Sequence, residues 1–377
     1  KNCPPLSRAP TPPTPHPATT MRLALAAVAS AMPDCAPQPT PAACLNTTGC
    51  AWLTLSGACA DAASPRTLLT PPSCCASQTP GSPCEHRTAD LPDGSCSVPG
   101  TGGLQAGEFD LAKAQRMAHF AGATYCSPDQ ITHWNCGPHC DGVPEVSDVT
   151  LISNTSQVLQ GLVAFDKTLD AVVVAFRGTI SKSITDWVHD MGVSRISPLT
   201  QYPDALVHHG FWDSWKAVEA EVVAAVGALL KKHPGVTVMV SGHSLGAAIA
   251  TDAAMDMKLS HGWTTALVNF GSPRPGNQVY AEALGKEISF IWRLTHNDDL
   301  VPHSPPESFG FYHAAREIFF PAEDPTNLTY QVCDDSGEDP QCSDQCAGHW
   351  ACTSVVDHLH YAGFELDSAN CAPSLLV

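Results

Sequence analysis

Short, uniformly apolar runs alternate with amphipathic segments over the last three quarters of the chain. Ala171–Phe176 is apolar at every position, which is typical of a central strand covered on both faces. Residues 109–125 and 211–232 carry apolar side chains three and four positions apart, so they predict helices, the second ending before Pro234. Three further apolar runs predict strands at residues 236–240, 267–270 and 288–292.

This alternation of strands and helices predicts a mostly parallel central sheet with helices on both faces. The predicted fold class is α/β, with such a sheet in residues 105–377. The 377 residues are 44% hydrophobic, which is enough for one sizeable core and a small accessory module.

Residues 33–99 have a different composition, rich in Pro, Ala, Ser and Thr, and show no sustained helical or strand period. Eight cysteines lie there: Cys35, Cys44, Cys50, Cys59, Cys74, Cys75, Cys84 and Cys96. Such a segment needs up to four disulfides in place of a buried core. Metal binding is the alternative, and an oxidising compartment favours disulfides. Residues 99–103 are typical of a linker, and the partner of this module is left open.

The start of the sequence predicts a secretory leader. Residues 21–31 combine one basic residue, a short apolar stretch and an Ala-x-Ala cleavage signal, which is typical of a signal peptide. Residues 1–20 are rich in Pro and Thr, and we interpret them as a non-native leader upstream of a start at Met21. Without Cys3 the cysteine count falls from 17 to an even number.

Charge and cysteine content narrow the classes of partner. The formal net charge of −18 argues against nucleic acid and anionic membranes as partners attracted by charge. The cysteines, together with sequons at Asn46, Asn154 and Asn327, indicate a secreted glycoprotein. No apolar run reaches the roughly 20 residues of a transmembrane segment.

Gly242-His243-Ser244-Leu245-Gly246 stands between a predicted strand and an Ala-rich predicted helix. A G-x-S-x-G in that setting is the nucleophile elbow of a serine hydrolase. Ser244 would need a base to take its proton and an acid to orient the base, both further along the chain. Spacing leaves two acids and six histidines open: Asp298, Asp299, His296, His303, His313, His349, His358 and His360.

At this point the chain resembles the fungal-type class 3 triacylglycerol lipases over about residues 105–372, and the resemblance implies an α/β-hydrolase fold. Five ordered segments carry the resemblance: Phe176-Arg177-Gly178-Thr179, Val207-His208-His209-Gly210-Phe211, Phe270-Gly271-Ser272-Pro273-Arg274-Pro275-Gly276-Asn277, Asn297-Asp298-Asp299-Leu300-Val301-Pro302-His303-Ser304-Pro305-Pro306 and Asp357-His358-Leu359-His360-Tyr361.

The resemblance also implies roles for particular residues. It selects Asp299 as the acid and His358 as the base of Ser244. It implies an oxyanion hole formed by Thr179 and the backbone N–H of Leu245. It calls for no metal and no cofactor.

In the resembled lipases a lid helix follows the oxyanion segment. Ile184, Trp187, Val188 and Met191 share i, i+3, i+4, i+7 spacing and would form its apolar face. A packed surface helix is the alternative. Related feruloyl esterases tend to carry a polar lid, so an apolar face favours long acyl chains.

The same resemblance implies two disulfides, with one departure. A short bridge is expected between Cys136 and Cys140, although here the two cysteines are one residue further apart than in the family. Cys126 with Cys371 would tie the first helix to the end of the domain. The pairing of Cys333, Cys342, Cys346 and Cys352 is left open.

Three functions compete at this stage. The first is a secreted lipase acting on acylglycerols at an oil–water interface. The second is an esterase of similar fold acting on phenolic, short-chain or phospholipid esters. The third, disfavoured by the complete set of predicted catalytic residues, is a silent hydrolase scaffold used for binding.

Overall fold

The computed structural model describes residues 50–53, 58–61, 89–90, 96–97, 109–180, 184–349 and 352–373. The chain divides into two compact units, Lys1–Ser97 and Val98–Val377. The predicted leader, signal peptide and linker lie outside the described residues.

Two short antiparallel strand pairs are described in the first unit. β1 (Cys50–Leu53) pairs with β2 (Ala58–Asp61), and β3 (Ala89–Asp90) pairs with β4 (Cys96–Ser97). The sequence did not predict these strands, because segments of two to four residues are too short to show a strand period.

The second unit is an α/β domain. Its strands are β5 (Val146–Asn154), β6 (Leu159–Asp166), β7 (Ala171–Phe176), β8 (Arg195–Ile196), β9 (Val207–His208), β10 (Thr237–His243), β11 (Thr265–Phe270), β12 (Ile291–His296), β13 (Glu317–Phe320), β14 (Gln331–Val332), β15 (His360–Tyr361) and β16 (Phe364–Glu365). Its α-helices are α1 (Leu111–Ala123), α2 (Pro128–Thr132), α3 (Pro138–Asp141), α4 (Ile184–Asp190), α5 (His209–Lys216), α6 (Glu219–Lys232), α7 (Leu245–His261), α8 (Gln278–Glu287) and α9 (Val355–Leu359).

Eight strands form one sheet in the order β14-β13-β12-β11-β10-β7-β6-β5. The five central strands, β7 and β10 to β13, run parallel, and the pairs β5–β6, β6–β7 and β13–β14 are antiparallel. The mostly parallel sheet expected from the sequence is therefore confirmed. Its parallel strands end at one edge, where an α/β fold places its ligand site.

Each face of the sheet is covered by a separate apolar core. Side chains of β7 alternate between the two cores, with Val172 and Val174 on one face and Val173 and Ala175 on the other. Helices α5 to α8 pack on the first face, and α1 packs on the second. This arrangement explains why β7 is apolar at every position, since neither of its faces meets water.

The segment 211–232 was expected to be one helix and is two, which corrects that prediction. Helix α5 ends at Lys216, and α6 begins at Glu219 after a break at Ala217 and Val218. The two helices pack on different partners, α5 against α7 and α6 against β6 and β7. The apolar spacing continues through the break, because Trp215, Val218 and the inward residues of α6 all stay buried.

A second prediction was wrong in its bounds. The strand expected at residues 288–292 begins only at Ile291 and continues to His296. Ile288 instead ends helix α8, where its backbone N–H donates to Leu284 O. An apolar run alone does not show where a helix end gives way to a strand.

Four disulfides link described cysteines: Cys126–Cys371, Cys136–Cys140, Cys333–Cys342 and Cys346–Cys352. The first two pairs are those implied by the resemblance. In the described part of the chain, no helix is both long and apolar enough to cross a bilayer.

Candidate active site

Ser244 occupies the sharp turn between β10 and α7. Its backbone adopts φ 60° and ψ −131°, a conformation that non-glycine residues rarely take. The turn closes so tightly that a Cβ at Gly242 would collide with the backbone of Gly246. A Cβ at Gly246 would collide with the carbonyl of Phe176. Both glycines of the motif are therefore required by close backbone approach.

Asp299 lies in the turn after β12 and is 1% exposed. Its Oδ2 accepts hydrogen bonds from the Tyr361 hydroxyl and from Nδ1 of His358, the latter at 2.9 Å. Its Oδ1 accepts from the backbone N–H of Val301 at 2.8 Å. Burial opposes ionisation, but the His358 imidazole and the other two donors hold the pKa of Asp299 below its ordinary value.

His358 lies on helix α9 and is the histidine that contacts Asp299. The other described candidates are engaged elsewhere. His313 contacts Pro302 O, His360 contacts Val356 O, and His303 lies beside Cys346. Asp298, the alternative acid, uses its backbone N–H to bind Asp357. The structure thus brings together the acid and histidine selected by the family resemblance.

Ser244 Oγ and His358 Nε2 are both buried, and neither forms a hydrogen bond with any described residue. These are the two atoms that would exchange a proton during acyl transfer. Buried polar atoms are usually paired, and the missing partners leave both of these atoms free to meet a substrate. Hydrogen bonds between catalytic groups are often long without substrate and tighten in the complex.

Two backbone segments meet Ser244 where an oxyanion would form. Leu245 is the first residue of α7, so its N–H lies at the positive end of that helix. Thr179 follows β7 and Gly178, and a Cβ at Gly178 would lie only 2.7 Å from Ser244 Cβ. The Thr179 segment therefore runs beside the candidate nucleophile.

A buried hydrogen-bond chain holds this segment against the elbow. The backbone N–H of Gly178 donates to the Tyr125 hydroxyl at 3.1 Å, and that hydroxyl lies 2.7 Å from His243 Nδ1. His243 Nε2 lies 2.7 Å from His358 O and donates to it. Burial, then the neighbouring His358, lower the pKa of His243 to about 3, so the ring is neutral. Its Nδ1 can then accept from Tyr125.

Helix α4 carries three of the four residues expected in a lid, and the fourth, Met191, directly follows its last residue. Ile184 is fully buried, and Trp187, Val188 and Met191 are half-buried. The Trp187 ring lies 6.4 Å from that of Phe211. The intervening polar side chains are exposed: Thr185, Asp186, His189 and Asp190. Helix α4 is thus amphipathic, with its apolar face directed at the domain.

Comparison with known proteins agrees with this geometry. The sequence profile of class 3 lipases matches residues 173–309. The secreted mono- and diacylglycerol lipase A of Penicillium cyclopium is 36% identical over 235 residues, which cover 60% of this chain and 74% of that protein. This chain belongs to the class 3 lipase family. A lipase of Rhizomucor miehei is 34% identical over 61% of the chain, and the alignment spans 62% of that lipase.

Solved structures support the same assignment. The R. miehei triacylglyceride lipase superimposes with a TM-score of 0.62 at 29% identity, covering 70% of this chain and 97% of that one. A triacylglycerol lipase whose catalytic centre is a serine protease triad superimposes with a TM-score of 0.61 at 30% identity. This superposition covers 68% of this chain and 95% of that lipase. The α/β-hydrolase fold of this class 3 lipase is confirmed.

Reasoning from sequence missed several residues of the site. Tyr361 donates to Asp299, and Tyr125 with His243 links the elbow to the loop of His358. Gly271 lies so close that a Cβ there would stand 2.9 Å from both Asp299 Oδ2 and the His358 ring. The only sequence signal for Tyr361 and Gly271 was their place inside family motifs, which gave them no role.

The cysteine-bridged segment that follows β14 is attached to the loop that follows β11. Arg274, in the loop after β11, is buried and forms two hydrogen bonds with Glu338 and one with Asp344. Glu307 adds a third carboxylate at 3.7 Å. The guanidinium occupies the space between these carboxylates, so they do not form an open cation site. The other close ligand groups among the described residues contain disulfide-bonded cysteines.

Proposed function

We propose that this class 3 lipase is a secreted serine hydrolase that cleaves the carboxylic esters of acylglycerols. The observation that carries the proposal is the buried His358–Asp299 pair beside Ser244 on a nucleophile elbow. The relatives named above as acylglycerol lipases support the substrate class.

The reaction is acyl transfer in two steps. His358 Nε2 takes the proton of Ser244 Oγ as that oxygen attacks the ester carbonyl. Asp299 accepts the hydrogen bond of Nδ1–H, which fixes the tautomer and stabilises the imidazolium that forms. His358 then protonates the leaving alcohol, and water repeats the sequence on the acyl-enzyme.

The tetrahedral oxyanion would be bound by the N–H of Leu245 and by the N–H and hydroxyl of Thr179. Each such donor contributes roughly 3 kcal/mol to stabilising the transition state. The N–H of Leu245 is held at the start of α7, and the segment that carries Thr179 is anchored by the hydrogen bond from Gly178 to Tyr125.

Helix α4 would serve as the lid. Ser244 and His358 are fully buried, so a substrate can reach them only after something moves. The inward apolar face of α4 would be exposed by opening and would then contact lipid. An oil–water interface would therefore stabilise the open state.

Secretion is supported by the four disulfides and by relatives named as secreted lipases. Asn327, the asparagine of one sequon, is exposed in the loop between β13 and β14 and is therefore accessible for glycosylation.

The decisive experiment is a series of p-nitrophenyl esters of increasing chain length, assayed below and above their solubility limits. We expect activity to rise with chain length and to rise sharply when the ester forms droplets. Ser244→Ala should lower kcat by about six orders of magnitude while the protein stays folded. Preference for short soluble esters with no response to droplets would favour the esterase alternative.

A further inference from the structure

His296 ends strand β12, three residues before Asp299, and is 4% exposed. Its two ring nitrogens meet the backbone carbonyls of two separate segments. Nδ1 lies 3.0 Å from Asp357 O, and Nε2 lies 2.8 Å from Ala322 O. Asp357 directly precedes His358, so His296 contacts the backbone that carries the candidate base.

A carbonyl oxygen only accepts hydrogen bonds, and a neutral imidazole has a single N–H. His296 can therefore donate to both carbonyls only when both of its nitrogens carry a proton. We propose that His296 is a positioning residue that acts as an imidazolium and holds His358 within reach of Ser244. The proposal rests on the function proposed above.

Acidic groups outnumber basic ones on the elements around His296. The Asp357 carboxylate, on α9, is buried and accepts from Asn297 Nδ2 and from the N–H of Asp298. The centroid of the Tyr361 ring, on β15, lies 6.0 Å from that of the His296 ring. Glu323 is the residue after Ala322, in the loop between β13 and β14. Asp298 and Asp299 follow in the same turn. The nearest cation on its own strand, Arg293, is paired with Glu317.

His243 provides an internal contrast. Its Nε2 donates to His358 O, and its Nδ1 meets the Tyr125 hydroxyl, which can donate. A neutral ring therefore satisfies both contacts of His243. Two consecutive carbonyls, those of Asp357 and His358, are thus held by histidines from β12 and β10, and only the histidine from β12 needs the extra proton.

Two substitutions separate the two hydrogen bonds of His296. In His296→Asn the amide nitrogen takes the place of Nδ1 and can donate to Asp357 O. In His296→Gln it takes the place of Nε2 and can donate only to Ala322 O. We expect His296→Gln to lose about 10- to 100-fold in kcat with KM unchanged, because the base is displaced. We expect His296→Asn to retain a kcat at least about tenfold higher than that of His296→Gln.

The matched control is His139→Asn, in which the amide nitrogen takes the place of Nδ1 and the contact made by Nε2 is lost. His139 is equally buried, lies on α3 and contacts the single carbonyl of Glu365 at 3.2 Å, away from the catalytic loops. It should lose stability without a selective loss of kcat. Equal kcat in His296→Asn and His296→Gln, or parallel losses in kcat and stability, would overturn the positioning role.

One further measurement tests the charge. Nitrogen-15 spectra of histidine-labelled protein at neutral pH should contain a ring with both nitrogens protonated, and that signal should be missing from His296→Asn. Absence of any doubly protonated ring from the wild-type spectrum would overturn the imidazolium even if both variants fail to fold.

Failure of this inference is distinguishable from failure of the proposed function. If Ser244→Ala retains activity, the hydrolase mechanism is wrong, whatever the His296 variants do. If Ser244→Ala is inactive and the two His296 variants behave alike, the mechanism stands and only the role of His296 is refuted.

Discussion

Replacing Asp299 by asparagine tests whether the buried acid fixes the tautomer of His358. The carboxylate accepts three hydrogen bonds, from His358 Nδ1, the Tyr361 hydroxyl and the Val301 N–H. An amide has one oxygen and one nitrogen, so it cannot accept all three. If its NH₂ faces His358, Nδ1 becomes an acceptor and the proton moves to Nε2, which can then no longer take the proton of Ser244.

The expected loss is large for kcat and small for stability. A histidine in the wrong tautomer costs about 10⁴-fold in kcat, which corresponds to about 5.5 kcal/mol of transition-state stabilisation. The unfolding free energy at neutral pH should change by no more than about 2 kcal/mol, because a neutral amide avoids the cost of burying a charge.

The pH dependence of stability gives an independent check. Burial disfavours the charged form of Asp299, but His358, Tyr361 and Val301 together keep its pKa below the ordinary value. A carboxylate with a lowered pKa stabilises the fold above its unfolded-state pKa, and that contribution is lost as the pH falls through the folded-state pKa. Wild type should therefore lose stability below about pH 4, and Asp299→Asn should lack this part of the loss.

The assay is kcat on a soluble p-nitrophenyl ester, with Asp298→Asn as the matched control. Asp298 is the adjacent residue, is half-buried, and its carboxylate forms no hydrogen bond with a described residue. Asp298→Asn should lower kcat only slightly. Equal losses in the two variants, or a loss below about 100-fold for Asp299→Asn, would refute the assignment of the acid.

Three further predictions concern the lid, the cysteine-rich module and acid stability. Trp187→Ser should blunt the rise in activity at a triglyceride interface more than activity on a soluble ester, because each large apolar side chain transferred to lipid contributes roughly 2 kcal/mol to opening; an unchanged interfacial response would contradict the lid. A protein that begins at Gly102, without residues 33–99, should keep its activity on a soluble ester; loss of activity in a folded truncation would place the module in the site. His243→Gln should weaken the acid sensitivity of stability, since the pKa of His243 is lowered, by burial first, to about 3. Unfolded protein binds a proton that folded protein excludes between about pH 6.5 and 3, so urea unfolding of wild type should lose up to about 1.4 kcal/mol per pH unit there; an equal slope in the variant would contradict this.

The parts of the fold that could be predicted are those with a local pattern. Ala171–Phe176 is uniformly apolar because it is covered on both faces, and its bounds agree with those of β7. The break between α5 and α6 could not be predicted, because Val218 continues the apolar spacing while the backbone leaves the helix. Periodicity reports which side chains are buried and does not report the direction of the helix axis.

The candidate site likewise has one part that a local motif predicts and another part that only the fold brings together. Ser244 was visible from a motif of five consecutive residues, whereas spacing left two acids and six histidines open. His358 and Asp299 are 59 residues apart in the chain, and only the fold brings them together. The contacts of Tyr361 and of His296, one of those six histidines, could not be predicted for the same reason, because each is made with a distant segment.

The order of the strands explains why a glycine is needed at position 271. Ser244 follows β10 and Asp299 follows β12, while β11 lies between these two strands in the sheet. His358 must therefore reach across the end of β11 to contact both partners. Gly271 is the residue at that end, with φ +54° and no room for a Cβ beside Asp299 and the His358 ring. Because the candidate nucleophile and the candidate acid are separated by one strand, the end of that strand must stay bare to leave space for the histidine above it.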